Sequence, residues 1–280
     1  MTAVHLHEAT WRNPANGHPL FYRLWEPEQP KTLMVLVHGF GEHGGRYEAF
    51  GQALADRGLV IACPDLWGHG RSAGQRGDME RLSQYVDDLE SLTVQAFLPR
   101  TKQKSAMVFG HSFGGLVAIH WALRHPQFLR SLVLQAPLLE VAFPVPRWKE
   151  SLAAVLNRVW GRLALPIGLN PAWLSHDPAV VQRYQQDPLV HHWITLRGFV
   201  SLQEAMRQAL EAAPQVASPA LVLYGAEDRV VSVKACQAFF ERLPGEKRLI
   251  GFPGCYHELH HESAFTNVVE AVVRWAETHA

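Results

Sequence analysis

The run Val108-Phe109-Gly110-His111-Ser112-Phe113-Gly114-Gly115 begins as a strand, turns at a serine and leaves as a helix. Ser105 to Phe109 is short and apolar, the pattern of a parallel strand covered on both faces. Phe113 to His125 carries Leu116, Ile119 and Leu123 at helical spacing. Between them Gly110, Ser112 and Gly114 spell G-x-S-x-G. A turn this tight forces the serine into strained backbone and lifts its hydroxyl above the sheet edge, and the flanking glycines leave room for neighbouring backbone. Ser112 is therefore the candidate nucleophile.

Strands and helices alternate outward from this point. Leu20 to Trp25 reads as an antiparallel strand paired near Val4 to Ala9 across the turn Asn13 to Gly17. Thr32 to Val37 is a buried strand, followed by the glycine-rich loop His38-Gly39-Phe40-Gly41-Glu42-His43-Gly44-Gly45-Arg46-Tyr47 and a helix from Tyr47 to Arg57. Leu59 to Ala62 is a strand, Leu82 to Leu98 a helix closed by Pro99, and Ser131 to Gln135 a further buried strand. After a proline-broken stretch, Phe199 to Ala212 is helical. Ala220 to Tyr224 and Lys247 to Phe252 are strands, separated by a helix from Val233 to Leu243. A helix from Ser263 to His279 closes the chain. The order predicts an α/β fold, a mostly parallel central sheet with helices on both faces.

The rhythm breaks between Leu138 and Leu196, where no strand signal occurs and several helices are interrupted by prolines. This predicts a helical cap (residues 138–196) embedded in a core made of 1–137 and 197–280. Trp148, Leu152, Val155, Leu156, Val159 and Leu163 fall on one helical face. Packing over the core is the expected use of this stripe, and transient docking on a membrane surface is the alternative.

Bulk composition excludes several classes. The 280 residues carry 26 Lys plus Arg against 26 Asp plus Glu, a formal net charge of zero, so no overall field draws nucleic acid. Cys63, Cys236 and Cys255 are widely spaced and match neither a zinc nor a redox pattern, and the 16 histidines are scattered. No metal or other cofactor is expected. Without a signal-peptide run at the start or a stretch of transmembrane length, a cytoplasmic location is expected.

Ligands of open α/β sheets bind beyond the carboxyl ends of the strands. A serine nucleophile needs a base, the base needs an acid, and the chain order on this architecture is serine, acid, histidine. The acid should follow Ala220 to Tyr224, where Glu227 and Asp228 stand; Asp228, farther along the turn, is preferred. His257 follows the last strand, whereas His260 and His261 lie nearer the final helix and serve to cap or solvate it. Oxyanion donors are expected at the backbone amides of Phe113, at a helix N-terminus, and Phe40, in the glycine loop. That loop lacks the lysine-serine pair of a phosphate-binding loop, which argues against a nucleotide.

Together these loops resemble the monoacylglycerol lipase and lysophospholipase family of α/β-hydrolases. The matching residues are His38-Gly39-Phe40-Gly41-Glu42-His43 with Arg46-Tyr47; Asp65 with Gly68-His69-Gly70 and Ser72; Gly110 to Gly115; Gly225, Asp228 and Val231; and His257-Glu258-Leu259 with Glu262. The resemblance runs from Leu20 to Trp275 and is weakest in the cap. It implies the α/β-hydrolase fold, Ser112, Asp228 and His257 as a catalytic triad, and Phe40 and Phe113 as the oxyanion hole. Gly39 and Glu42 are expected to contact substrate. The implied partner is a small-molecule acyl ester, a monoacylglycerol or lysophospholipid, cleaved through an acyl-enzyme. Amide cleavage, with Glu140, Asp177 or Asp187 holding a free amino terminus, and a non-catalytic binding role are the alternatives.

Overall fold

A computed structural model describes residues 3–143 and 146–279; positions 1, 2 and 280 of the expected core and 144 and 145 of the expected cap lie outside it. The strands are β1 (Val4–Arg12), β2 (Pro19–Pro27), β3 (Thr32–Val37), β4 (Leu59–Pro64), β5 (Ala106–His111), β6 (Leu129–Gln135), β7 (Ala164–Pro166), β8 (Trp193–Thr195), β9 (Ala220–Gly225) and β10 (Lys247–Phe252). The helices are α1 (Glu48–Ala55), α2 (Ser83–Leu92), α3 (Leu98–Thr101), α4 (Phe113–Arg124), α5 (Arg147–Trp160), α6 (Pro178–Gln186), α7 (Leu196–Glu211), α8 (Val233–Arg242) and α9 (Phe265–Thr278).

Eight strands form one sheet in the order β1-β2-β4-β3-β5-β6-β9-β10, parallel from β4 to β10, with the β1–β2 hairpin antiparallel at one end. The alternation of side chains along β3 and β5 divides the core. Val35, Val37 and Val108 pack with α2, α4, α7 and α8 on one face, and Met34, Leu36, Met107 and Phe109 pack with α1 and α9 on the other. This is why those strands read as unbroken apolar runs. Asp88 of α2, buried, accepts from Asn13 at 2.6 Å and Asn16 at 2.8 Å and so fastens the hairpin turn to the body.

Two local readings are corrected. Pro99 does not end the helix before it: a wider π turn at Thr93–Phe97 precedes it, and one more turn, α3, continues to Thr101. The π turn absorbs the hydrogen bond that a proline cannot donate. The stretch from 138 to 196 also contains strands, since β7 and β8 pair antiparallel. Each has three residues and β7 includes Pro166, too little for a period-2 pattern to show. The anticipated boundary at 196/197 falls inside the first turn of α7, whose N-cap Thr195 accepts from the Gly198 amide.

The apolar face of α5 is the largest departure. Ala153 is buried and Leu156 is half-buried, but Trp148 is 64 % exposed, Val155 61 %, Val159 75 % and Trp160 60 %. Packing over the core therefore accounts for only part of the stripe. Among the described residues no helix is long and apolar enough to cross a membrane.

Candidate active site

Ser112 sits between β5 and α4 at φ +52°, ψ −116°, a left-handed conformation that an L side chain holds only when its surroundings enforce it. The glycines around it are obligatory. A Cβ on Gly110 would lie 2.4 Å from the Gly114 carbonyl oxygen, and one on Gly114 would lie 2.1 Å from that of Val37. Strand, turn and helix thus pass too close for a side chain at either glycine.

The loop after β9 carries Asp228 and the loop after β10 carries His257. Asp228 Oδ1 accepts from the amides of Val230 at 2.8 Å and Val231 at 3.0 Å, so its own turn orients the carboxylate. Oδ2 lies 2.7 Å from His257 Nδ1, which places the proton on Nδ1 and leaves Nε2 to accept. Burial alone would lower the imidazole pKa, but the charge and hydrogen bond of Asp228 outweigh it and raise the value above the ordinary 6.5. Glu227, the competing acid, is exposed and donates its amide to Cys255 O. His111 lies tilted beside His257, ring centroids 4.6 Å apart, and burial pushes its pKa down to about 4. It stays neutral at working pH and adds no second charge beside the candidate base.

Among the described residues, neither the Phe40 nor the Phe113 amide has a protein acceptor, as an oxyanion donor requires. His38 shapes the Phe40 loop: its Nδ1 donates to Gly39 O at 2.7 Å and its Nε2 accepts from Leu66 N at 2.9 Å. Burial lowers its pKa, consistent with this neutral tautomer. Asp65, fully buried, accepts from the amides of Gly44 and Arg71, each at 2.8 Å, and so joins the two glycine-rich loops singled out in the sequence.

Ser112, His257, Gly39, Phe40 and Glu42 line one cavity of about 930 Å³, walled otherwise mostly by apolar side chains of 138–210 such as Leu139, Leu156, Leu174, Leu202 and Met206. Of the acids considered for holding an amino terminus, Glu140 lines the cavity. Asp177 caps α6 by accepting from Ala179 N, and Asp187 is bonded to His43 Nε2 at 2.8 Å.

The arrangement that sequence reasoning missed is a buried ion cluster. Arg46 donates to Glu42 Oε2 and, with both terminal nitrogens at 2.7 Å, to the two carboxylate oxygens of Glu258. Glu42 Oε1 also accepts from Gly39 N and Tyr47 Oη, each at 2.6 Å. Glu42 therefore lines the cavity with both oxygens already engaged by the protein, and the Gly39 amide is spent on it. Burial works against ionisation of Glu42 and Glu258, yet the Arg46 charge prevails and holds both below the ordinary carboxylate range. The quoted Arg46-Tyr47 pair was visible in the sequence; that it reaches the residue after the candidate base was not. His260 is not a helix cap either: it is 2 % exposed, stacked on Tyr47 at 4.4 Å and bonded through Nδ1 to Gln135 at 2.8 Å. The ligand atoms of Glu258, His260 and His261 lie within 4.8 Å of one another, but Arg46 and His261 already occupy both Glu258 oxygens.

A parallel sheet with a strained serine at its carboxyl edge and the histidine and aspartate on later loops defines an α/β-hydrolase. A family model described as "Serine aminopeptidase, S33" matches residues 28–264, and the chain belongs to that family of serine hydrolases. It is 32 % identical to the monoacylglycerol lipase of Mycolicibacterium smegmatis, over 94 % of each chain. It is also 32 % identical, over 91 % of its length, to an abhydrolase domain-containing protein of Dictyostelium discoideum, of which it spans 27 %. The crystal structure of Paleococcus ferrophilus monoacylglycerol lipase superposes with a TM-score of 0.83 at 30 % identity, covering 99 % of this chain and 100 % of that one.

Proposed function

We propose that the protein is a serine ester hydrolase of single-chain acyl esters, acting through an acyl-enzyme on Ser112 with Asp228 and His257. The observation that carries this reading is one apolar cavity of about 930 Å³ lined by both Ser112 and His257, with His257 oriented by Asp228 at 2.7 Å. A mostly apolar cavity of this order is large enough for a lipid acyl chain. Similarity to monoacylglycerol lipases supports the same substrate class.

In this mechanism His257 Nε2 takes the Ser112 proton as the hydroxyl oxygen attacks the ester carbonyl. The amides of Phe40 and Phe113 receive the developing oxyanion. Its collapse expels the alcohol, which takes the proton back from His257, and water repeats the sequence on the acyl-enzyme. Residues 138–196 act as the cap over a core of 1–137 and 197–280, and their apolar inner wall holds the acyl chain. The test is labelling by a fluorophosphonate probe together with hydrolysis of p-nitrophenyl esters, monoacylglycerols and amino-acid anilides. Labelling of Ser112 with turnover of the esters is expected. Turnover of anilides alone would favour the amidase reading, and no labelling a binding protein.

A specific observation supports transient contact of the cap with a lipid surface: Trp148, Val155, Val159 and Trp160 of α5 are all at least 60 % exposed. Tryptophan and aliphatic side chains on the outer face of an amphipathic helix suit the boundary between head groups and acyl chains. A cytoplasmic setting fits the three cysteines, which are free and buried.

A further inference from the structure

Among the described residues two arginines reach the cavity, Arg46 and Arg207, and each is already held between two carboxylates. Arg46 lies between Glu42 and Glu258. Arg207 of α7 donates to Glu204 at 2.6 and 3.0 Å and to Glu211 at 2.6 and 2.7 Å. A third carboxylate, Glu140, also lines the cavity. Of the groups that line the cavity beside the nucleophile and base, two carboxylates, Glu42 and Glu258, face one guanidinium, Arg46, and the Asp228 carboxylate behind His257 adds further negative charge. It cannot be titrated away near neutrality, since both carboxylates are held ionised by Arg46 despite burial. His261 stands behind Glu258, 2.7 Å from its Oε2, and would offset that charge only when protonated.

The polar part of the wall is where the alcohol of an ester must sit, because the rest of the cavity is apolar and suits the acyl chain. We propose that this wall selects esters by the charge of their alcohol, admitting neutral alcohols and rejecting those with a phosphate or carboxylate next to the scissile bond. An anion there would lose its hydration and meet two carboxylates, while each arginine that could pair with it is already committed. The inference rests on the ester-hydrolase reading and decides between the two head groups that reading leaves open, glycerol over glycerophosphate. It also gives Glu258 a task in specificity, not only in folding.

The experiment compares kcat/KM for 1-lauroylglycerol, 1-lauroylglycerol 3-phosphate and lauroylcholine, all below their micellar concentrations, at about pH 8, where Glu42 and Glu258 carry their charge. The phosphate ester is expected to be cleaved at least about 100-fold less efficiently than the glycerol ester, because like charges brought together out of water repel strongly. The choline ester should stay within about tenfold of the glycerol ester, since sign rather than charge as such decides the outcome. Glu258→Gln keeps the shape of the side chain and removes one charge. It should narrow the gap between anionic and neutral ester by about tenfold, read as a ratio within the variant so that any general loss of activity cancels. Glu42→Gln provides the same ratio should Glu258→Gln fail to fold. Wild-type cleavage of the phosphate ester within about threefold of the glycerol ester would overturn the proposal, as would equal rejection of the choline ester or an unchanged gap in a folded variant. Failure to cleave any of the three, with no fluorophosphonate labelling, would instead overturn the ester-hydrolase reading itself.

Discussion

The amide of His191 donates to the carbonyl of Gly41 at 2.8 Å, so the segment over the cavity is tied by its backbone to the loop that carries Phe40. Gly41 adopts φ +76°, and a Cβ there would fall 2.3 Å from the His191 carbonyl oxygen. Gly41→Ala should therefore displace the Phe40 amide as well as the segment around His191. Turnover of p-nitrophenyl butyrate should fall on the order of 100-fold, the usual effect of losing one oxyanion donor. Wild-type turnover in a folded Gly41→Ala protein would show that the loop position does not matter.

The pH profile follows from the pair at 2.7 Å. In the proposed mechanism His257 must be neutral to accept the Ser112 proton, and Asp228 raises its pKa above the ordinary 6.5. Activity should therefore be lost as pH falls through a value above 6.5. Asp228→Asn removes the charge that raises the pKa and leaves the burial that lowers it. Turnover should drop on the order of 10⁴-fold, and the acid limb of the residual activity should move to lower pH. A limb that stays in place would mean that another group titrates.

Arg46 bridges two buried carboxylates, Glu42 and Glu258. Arg46→Met should destabilise the fold by about 3–5 kcal/mol at neutral pH, because it strands buried charge, measurable by urea unfolding. The sign with pH is fixed. Glu42 and Glu258 have folded-state values below 4.5, so their contribution to wild-type stability is present above 4.5 and is lost as pH falls through the folded values. Equal unfolding midpoints for Arg46→Met and wild type at pH 7 would contradict this account of the cluster.

Cys255 stands two residues before the base but is only 2 % exposed, and burial pushes its thiol pKa up. Iodoacetamide should leave the native enzyme fully active, since neither access nor thiolate is available. Inactivation that Cys255→Ser abolishes would show that the loop opens.

Chain-length preference should follow the apolar wall. Each additional buried methylene adds roughly 0.8 kcal/mol, so kcat/KM should climb with acyl length and then level off when the cavity is full. Triacylglycerol should be cleaved poorly at matched concentration, and comparable rates on mono-, di- and triacylglycerol would point to an open cleft.

The legible parts of the sequence were those in which one local signal fixes one element. Thr32 to Val37 and Ala106 to Phe109 are buried on both faces, so their apolar runs have only one reading. Ser112 between Gly110 and Gly114 is legible for a steric reason that the distances make explicit. Asp228 and His257 were picked out by chain order, and that they lie 2.7 Å apart needed the fold. What stayed hidden depends on distant partners. The Arg46–Glu258 contact spans 212 residues, and no periodicity encodes it. The β7–β8 pair is too short to announce itself, and the α5 stripe looks the same in sequence whether its outer face is covered or bare.

Asp228 and His257 ride on loops that leave β9 and β10, paired in parallel with Gly225 opposite Phe252. β10 is the last strand of the sheet and has a neighbour on one side only. Edge strands open locally at less free energy than the core, so breathing at this rim would part base from acid while Ser112, three strands inward, keeps its shape. The enzyme's working lifetime under heat is then governed by its rim, and activity should fade at a temperature where spectroscopy still reports a folded protein.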